Sequence, residues 1–267
     1  MDSDLNSDSS DSYEQTEFDS GFANKYDPNF SLLTRNQLFQ WTQERNYSPR
    51  SRTNELFNWI SHLITGIIVT AATIYLLYMA DSPSKRFAFT YYMVSNAGML
   101  FGSALHHGIG LGGYSISCYR FFRMLDHCGI FFVISGTFSP FALVGYNQFS
   151  FSVFYYMNVV MILSIVLKGI TRHTLNQNVF NAVYMLMGWS GLALLPKIVV
   201  QFGWGCLGLV VAGGLCYSVG LVAFQVERPN PVKGVFCAHE IWHCCVSLGV
   251  VLHYLSLLVY VLPYQQS

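Results

Sequence analysis

Seven long apolar stretches follow one another along most of this chain, and they restrict its fold more than any other feature. They cover approximately residues 56–79, 86–107, 121–144, 149–170, 178–200, 202–226 and 235–262. A helix needs about 20 residues to cross roughly 30 Å of hydrocarbon, and each stretch is that long. Only 10% of the 267 residues are charged, whereas an ordinary soluble domain has about 25%. The sequence therefore predicts an all-α membrane protein, a seven-transmembrane helix bundle.

The polar N-terminal part is predicted to lie outside this bundle. Residues 1–30 are rich in Ser, Asp and Asn and have little to bury, so we expect a disordered acidic tail. Residues 31–52 form a juxtamembrane segment, in which 31–45 fits either a helix lying on the membrane surface or an ordinary linker. Residues 53–263 form the membrane domain. The tail lacks the apolar run of a signal peptide, so the first apolar stretch is expected to target the protein.

The distribution of Lys and Arg predicts the orientation of the bundle. With a cytosolic N-terminus, only Lys85, Arg86 and Lys197 of the fourteen basic residues fall on the outside. The other eleven fall inside: Lys25, Arg35, Arg45, Arg50, Arg52, Arg120, Arg123, Lys168, Arg172, Arg228 and Lys233. This bias predicts a multi-pass protein with a cytosolic N-terminus and the C-terminus on the opposite side. Fourteen acidic residues balance the basic ones, so the charge gives no argument for a nucleic-acid partner.

Several ionisable and polar residues in the apolar stretches converge on one leaflet. An ionisable residue in lipid is a functional candidate, because its burial costs free energy. The residues near cytosolic ends are Glu55, Asn58 and His62 in the first stretch, His107 in the second, Asp126 in the third, and His239 and His243 in the seventh. This convergence predicts a site in the cytosolic leaflet. His253 lies deeper and is interpreted as a helix-packing residue, and His106 and His127 as polar packing beside the candidates.

A histidine pair at the start of the seventh stretch has the spacing of metal ligands. His239 and His243 are four residues apart, so a helix places both imidazoles on one face. Taken alone, the pair also fits two polar residues at a membrane boundary. Three neutral imidazoles with an open fourth position are the usual arrangement of a catalytic zinc site. Together with His107, the pair therefore predicts a bound Zn²⁺.

Two further residues could take part in chemistry at such a site. Ser103 lies one turn before His107, so its hydroxyl can reach the site. Asp126 could hold an attacking water, accept its proton or orient a metal ligand. The segment HEIWH also contains the HExxH pattern, in which Glu acts as the base. Glu240 is about 100° around the helix from His239 and is predicted to point elsewhere.

These motifs resemble the progestin and adipoQ receptor family and its bacterial haemolysin III relatives. The similarity extends over residues 50–262 and rests on four patterns in order. They are ExxNxxxH in NELFNWISHLITG, SxxxH in FGSALHH, DxxxI in FRMLDHCGIFFVISGTFSPFAL, and HxxxH in HEIWHCCVSLGVVLHY. The run LDHCGIFFVISGTFSPF is closer to the haemolysin III branch. The resemblance implies seven helices, a cytosolic N-terminus and zinc held by three histidines, and it also implies lipid-amide hydrolysis.

Two functions follow from these features. The first is a zinc-dependent intramembrane hydrolase of lipid amides such as ceramide, with Asp126 as the base and Ser103 orienting the water or the developing oxyanion. The alternative is a seven-helix receptor or signalling protein in which zinc is structural and no hydrolysis occurs. In both, the partner is a membrane lipid acting as substrate or ligand. A lipid-sized cavity beside the histidines would favour the enzyme. The sequence leaves the oligomeric state and the cellular membrane open.

Overall fold

The described part of the chain is entirely helical. The structure, a computed structural model, describes residues 52–109, 116–171 and 175–265. Within those ranges every regular element is a helix, apart from an isolated bridge between Val232 and Phe236. The predicted acidic tail at 1–30 and the juxtamembrane segment up to residue 51 lie outside the described residues. The prediction of an all-α fold is confirmed.

The described residues contain seven α-helices. They are α1 (Arg52–Met79), α2 (Pro83–Ile109), α3 (Ile116–Leu143), α4 (Gln148–Thr171), α5 (Gln177–Ser190), α6 (Leu195–Val226) and α7 (Ala238–Ser256). A 3₁₀ turn at Gly191–Leu194 joins α5 to α6, and a π-helical turn at Leu257–Val261 extends α7.

Five helical stretches in the described residues are long and apolar enough to cross a membrane. They are Thr53–Met79, Cys118–Leu143, Gln148–Thr171, Gln177–Val226 and Ala238–Val261. A multi-pass helical membrane protein is thereby confirmed, with five candidate spans where the sequence predicted seven. The two differences concern α2, and the continuous stretch that contains α5 and α6.

Helix α2 is long enough to span the membrane but is less apolar than the other long helices. It has 27 residues, and its buried positions include Ser95, Asn96, Ser103, His106 and His107. The helix packs between α1 and α3, so its polar side chains turn inward, away from the hydrocarbon. Its low hydropathy therefore reflects a polar interior face.

The stretch Gln177–Val226 runs for 50 residues and contains both the fifth and the sixth predicted spans. It is broken at Gly203, where φ is 84° and ψ is 171°. A side chain disfavours positive φ, whereas glycine adopts it without steric penalty. The helix therefore changes direction at this residue, one position into the predicted sixth span.

The bundle has two ends, which we name by their buried polar residues. At the histidine end, the start of α1, the end of α2 and the start of α7 bring Glu55, His107, His239 and His243 together. At the lysine end, the start of α2 meets the segment after α7, since Lys85 contacts Leu262. The end of α3 meets Lys197 at the same end of the bundle.

Both buried lysines of the lysine end bind helix-terminal carbonyls. The Lys85 ammonium donates to the carbonyl of Leu262 at 2.6 Å and forms an ion pair with Asp81 at 2.9 Å. The Lys197 ammonium donates to the carbonyls of Phe141, Ala142 and Val144 at 2.7, 3.1 and 3.0 Å. The last carbonyls of a helix have no partner within it and attract cations. Each lysine therefore caps a helix end.

Candidate metal centre

Three histidines from two helices converge at the histidine end. The Nε2 atom of His239 lies 3.5 Å from Nε2 of His107 and 3.1 Å from Nε2 of His243. One ligand nitrogen from each residue lies within 4.8 Å of the other two. Two nitrogens bound to one tetrahedral zinc would stand about 3.3 Å apart, given Zn–N distances of about 2.0–2.1 Å. The trio predicted from the sequence is brought together and could hold a metal ion.

The start of α7 explains how His239 and His243 are positioned. Cys237 precedes the helix, and its backbone N–H donates to the Glu240 carboxylate at 2.8 Å, as in a capping box. The other Glu240 oxygen accepts from the Asn58 side chain at 2.9 Å. Glu240 is buried and its two oxygens serve the helix start and α1. The first turn of α7 is thereby fixed while its histidines face the cluster.

A carboxylate from α1 orients the His107 ring. The Nδ1 atom of His107 lies 2.7 Å from Oε2 of Glu55, and the imidazole is fully buried. A neutral imidazole that donates its Nδ1 proton to a carboxylate keeps the lone pair of Nε2 free for a metal. Sequence reasoning named Glu55 but gave it no role. The pattern ExxNxxxH could have indicated a role for Glu55, because its spacing puts Glu55, Asn58 and His62 on one side of α1.

His62 and Ser61 complete the α1 side of the cluster. The His62 ring stacks on the His243 ring with centroids 3.8 Å apart and an interplanar angle of 23°. The Ser61 hydroxyl lies 3.4 Å from Nδ1 of His243. His62 is buried, and neither of its ring nitrogens has a hydrogen-bond partner among the described residues. Sequence reasoning grouped His62 with the other candidate residues but missed this packing, which depends on how α1 meets α7.

A cavity of about 160 Å³ opens beside the cluster. Its polar lining at the histidine end includes Ser103, Asp126, His239 and His243. Ser103 is buried and Asp126 half-buried. The structure thus brings both predicted reactive residues to a cavity that two of the three clustered histidines also line.

Most of the remaining cavity wall is apolar. It includes Met99, Ile130, Val133, Ile134, Phe138, Leu195, Val210, Leu221 and Val246. Trp189, Leu192 and Val211 also line the cavity, and they expose 43%, 43% and 37% of their surfaces to the outside. These three residues belong to α5, the 3₁₀ turn and α6. These three side chains therefore face both the cavity and the outside of the bundle.

The two histidines next to the candidates have other neighbours. The Nδ1 atom of His127 lies 3.0 Å from Oε1 of Gln177, which also accepts from the Lys168 ammonium at 2.9 Å. The His106 ring packs against the Tyr119 ring, with centroids 5.0 Å apart. His127 and Gln177 both line the cavity, so their contact forms part of the polar wall.

Comparisons with known proteins bear on the same part of the chain. A family model described as Haemolysin-III related matches residues 50–254. Hemolysin-3 of Bacillus cereus is 29% identical over 214 residues, which cover 78% of this chain and 92% of that protein. The Hemolysin-3 homolog of Bacillus subtilis (strain 168) is 25% identical over 213 residues, which cover 77% of this chain and 93% of that protein. Both bacterial proteins therefore match along almost their whole length.

A eukaryotic relative matches over a smaller share of its own length. The Adiponectin receptor protein of Drosophila melanogaster is 25% identical over 199 residues, which cover 67% of this chain and 45% of that protein. The family match at 50–254 includes all three clustered histidines as well as Ser103 and Asp126.

Proposed function

This chain belongs to the haemolysin-III related family, and on that basis we propose that it is an intramembrane hydrolase of lipid amides that depends on zinc. His107, His239 and His243 would hold the metal. One observation carries the proposal: three histidine nitrogens converge beside an apolar cavity that also contains Ser103 and Asp126. A structural metal would need no such cavity.

The residues present fit zinc by their chemistry. Imidazole nitrogens suit Zn²⁺, and three protein ligands leave one position open. The Nε2 separations of 3.1 and 3.5 Å bracket the spacing that a tetrahedral ion requires. The Glu55 carboxylate fixes the His107 ring from behind, which is the usual arrangement around a ligating histidine.

The proposed reaction divides between the metal and two side chains. Zinc, when bound, supplies a Lewis acid that polarises a carbonyl and allows water to react at neutral pH. Asp126 holds the water and takes one of its protons as the C–O bond forms. The C–N bond then breaks, and Asp126 returns that proton to the departing amine nitrogen. Ser103 donates a hydrogen bond to the oxyanion that develops on the carbonyl oxygen.

The shape of the cavity supports a lipid substrate. It is polar near the histidines and mostly apolar elsewhere, as an amide joined to a long chain requires. Trp189, Leu192 and Val211 line the cavity and are also exposed on the outside of the bundle, so a lipid would enter between them sideways from the bilayer. A ceramide-like amide is therefore the favoured substrate class.

The proposal includes seven crossings and a cytosolic N-terminus. Helix α2 has 27 residues, and the 50-residue stretch at Gln177–Val226 is broken at Gly203. Since a crossing takes about 20 residues, these elements supply the two crossings beyond the five candidates. Tags at the two chain ends, tested for protease access in sealed vesicles, are expected on opposite sides. Finding both tags on one side would contradict the seven-span topology.

Ceramide hydrolysis by purified protein tests the activity, with zinc measured on the same sample. Asp126→Asn keeps the shape of the side chain but removes the base, so we expect retained zinc and a rate lower by about 10²–10⁴-fold. Asp81→Asn makes the same change at the lysine end and is expected to leave the rate unaltered. If the parent protein shows no zinc-dependent turnover on a panel of ceramides and related amides, the receptor with structural zinc replaces the hydrolase.

A further inference from the structure

Three unpartnered polar groups lie in the deep part of the cavity, away from the metal centre. Thr137 on α3, Tyr217 on α6 and His253 on α7 all line the cavity. Thr137 and His253 are each only 2% exposed. The Thr137 hydroxyl, the Tyr217 hydroxyl and Nδ1 of His253 are buried without a hydrogen-bond partner among the described residues. The two hydroxyls approach each other without meeting hydrogen-bond geometry.

Two glycines let the Tyr217 and His253 rings lie between α6 and α7. The rings stack with centroids 5.5 Å apart and an interplanar angle of 22°. A Cβ added at Gly249 would stand 2.4 Å from the Tyr217 ring, and one at Gly213 would stand 2.7 Å from the His253 ring. Each ring therefore occupies the space that a missing side chain leaves on the opposite helix. The polar group is held in place by this close packing.

The group lies far from the histidine cluster along the same cavity. His253 follows His243 by ten residues, which corresponds to about 15 Å along a helix. Thr137 follows Asp126 by eleven residues on α3, which gives about the same depth. The lining between the two polar regions includes Ile130, Val133 and Val246. The three groups thus lie within the candidate membrane-spanning helices, where unpaired polar groups are costly.

We propose that Thr137, Tyr217 and His253 form a second polar subsite, which binds a hydroxyl group on the hydrocarbon chain of a lipid. The proposal rests on the proposed function to the extent that a lipid amide occupies the cavity. With the amide at the histidine cluster, about 15 Å of extended chain corresponds to roughly a dozen carbon–carbon bonds. The subsite therefore selects lipids that carry an oxygen near the twelfth carbon.

The chemistry of the three groups favours a neutral hydroxyl over a charged group. A hydroxyl both donates and accepts hydrogen bonds, as do the side chains of Thr137 and Tyr217, and a neutral imidazole offers one donor and one acceptor. The described lining residues include no lysine or arginine, and the single aspartate, Asp126, lies at the other end of the cavity. A carboxylate or ammonium bound in the subsite would therefore be buried without a counterion.

Competition binding to the purified full-length protein tests the subsite. The probes are ceramides with an 18-carbon acyl chain that is plain, hydroxylated at carbon 12 or hydroxylated at carbon 6, each displacing one fluorescent lipid. The parent is expected to bind the 12-hydroxy lipid about tenfold more tightly than the plain one, the effect of one or two net hydrogen bonds. The 6-hydroxy lipid should bind no more tightly than the plain lipid, because its hydroxyl meets the apolar wall.

Two conservative variants assign the effect to named side chains. Tyr217→Phe and Thr137→Val remove one hydroxyl each and should reduce the tenfold preference while leaving the affinity for the plain lipid unchanged. Tyr254→Phe is the matched control, because that hydroxyl donates to the carbonyl of Ala72 on α1 and does not line the cavity. Its preference should equal that of the parent.

The binding data distinguish failure of the subsite from failure of the proposed function. The parent protein could bind all three lipids equally, or it could bind the 12-hydroxy and 6-hydroxy lipids with the same affinity. Either result would contradict the subsite without contradicting lipid binding in the cavity. An unchanged preference in both conservative variants overturns it as well. If none of the lipids binds to zinc-loaded protein, the proposed function fails, and the subsite fails with it.

Discussion

The histidine end and the lysine end both bury polar side chains, but those side chains have different partners. At the lysine end, the ammonium groups of Lys85 and Lys197 bind backbone carbonyls at helix ends. These positive charges interact with unpaired backbone carbonyls, which every helix C-terminus provides. At the histidine end, three imidazoles face one another through Nε2 atoms, and no full positive charge is placed between them by the protein itself.

The partners of the buried groups distinguish a stabilising polar cluster from a candidate binding site. A cation capped onto helix-terminal carbonyls has its hydrogen bonds satisfied and needs nothing further. Three imidazole nitrogens that converge within 4.8 Å of one another could instead hold a metal ion. Burial alone makes the two ends look alike, so the partner of each buried group distinguishes them.

Removing one clustered histidine should have the largest effect. We expect His243→Ala to lose nearly all of the roughly one zinc per chain, because two imidazoles remain where three ligands are needed. Metal analysis of the purified protein measures this directly. His106→Ala, a neighbouring buried histidine outside the trio, is the control and should keep its zinc. Equal zinc in His243→Ala and the parent would remove the distinction between the two ends.

Weakening the support behind His107 should have the next largest effect. Glu55→Gln keeps an acceptor opposite Nδ1 of His107 but removes the negative charge, so zinc affinity should fall about 10–100-fold. Titration with a competing chelator measures the affinity. Asp81→Asn makes the same type of change at the lysine end and should leave the affinity unchanged. An unchanged affinity in Glu55→Gln would show that the carboxylate does not support a ligand.

At the lysine end the expected effect is on stability alone. Lys197→Met keeps the aliphatic stem but leaves the carbonyls of Phe141, Ala142 and Val144 without their cation. The free energy of unfolding should fall by about 2 kcal/mol, the value for a cation at a partly buried helix C-terminus. Thermal unfolding in detergent measures it, with the exposed Lys233→Met as control. Loss of zinc in Lys197→Met would show that the two ends are coupled.

The smallest effect is expected at Asp81, in the link between α1 and α2. The hydrogen bond from the Lys85 ammonium holds the pKa of the Asp81 carboxyl below its ordinary value. The stabilisation is therefore present above an unfolded-state pKa of about 3.9 and is lost as pH falls through the lower folded value. For an exposed carboxylate it should stay below about 1 kcal/mol. A Tm difference between the parent and Asp81→Asn that persists at the lowest pH would contradict this assignment.

The residues that sequence could locate are those set by local periodicity or by membrane depth. His239 and His243 share a face because they are one helical turn apart, and His107 was placed near them because helix ends share a leaflet. The contact of Glu55 with His107 joins residues 52 apart in sequence, and which faces of α1 and α2 meet depends on packing. The same applies to His62, whose stacking on His243 no local pattern predicts.

The burial of two lysines and the helix break at Gly203 could not be predicted from the sequence. Counting charges assigned Lys85 and Lys197 to the outside, but both lie inside helices and are buried. A long aliphatic stem lets a lysine lie within a helix while its ammonium reaches backbone carbonyls. Gly203 breaks the helix near the start of the sixth predicted stretch. The break depends on the backbone conformation of a single glycine, and the hydropathy of the neighbouring residues does not predict it.

The positions of the three histidines in the sequence determine when the cluster can form during synthesis of the chain. His107 and His239 are 132 residues apart in sequence, and α7 follows the other described α-helices along the chain. A nascent chain that ends before Ala238 contains one of the three histidines and cannot form the cluster. A metal bound by all three histidines could therefore be captured only after α7 has packed against α1 and α2.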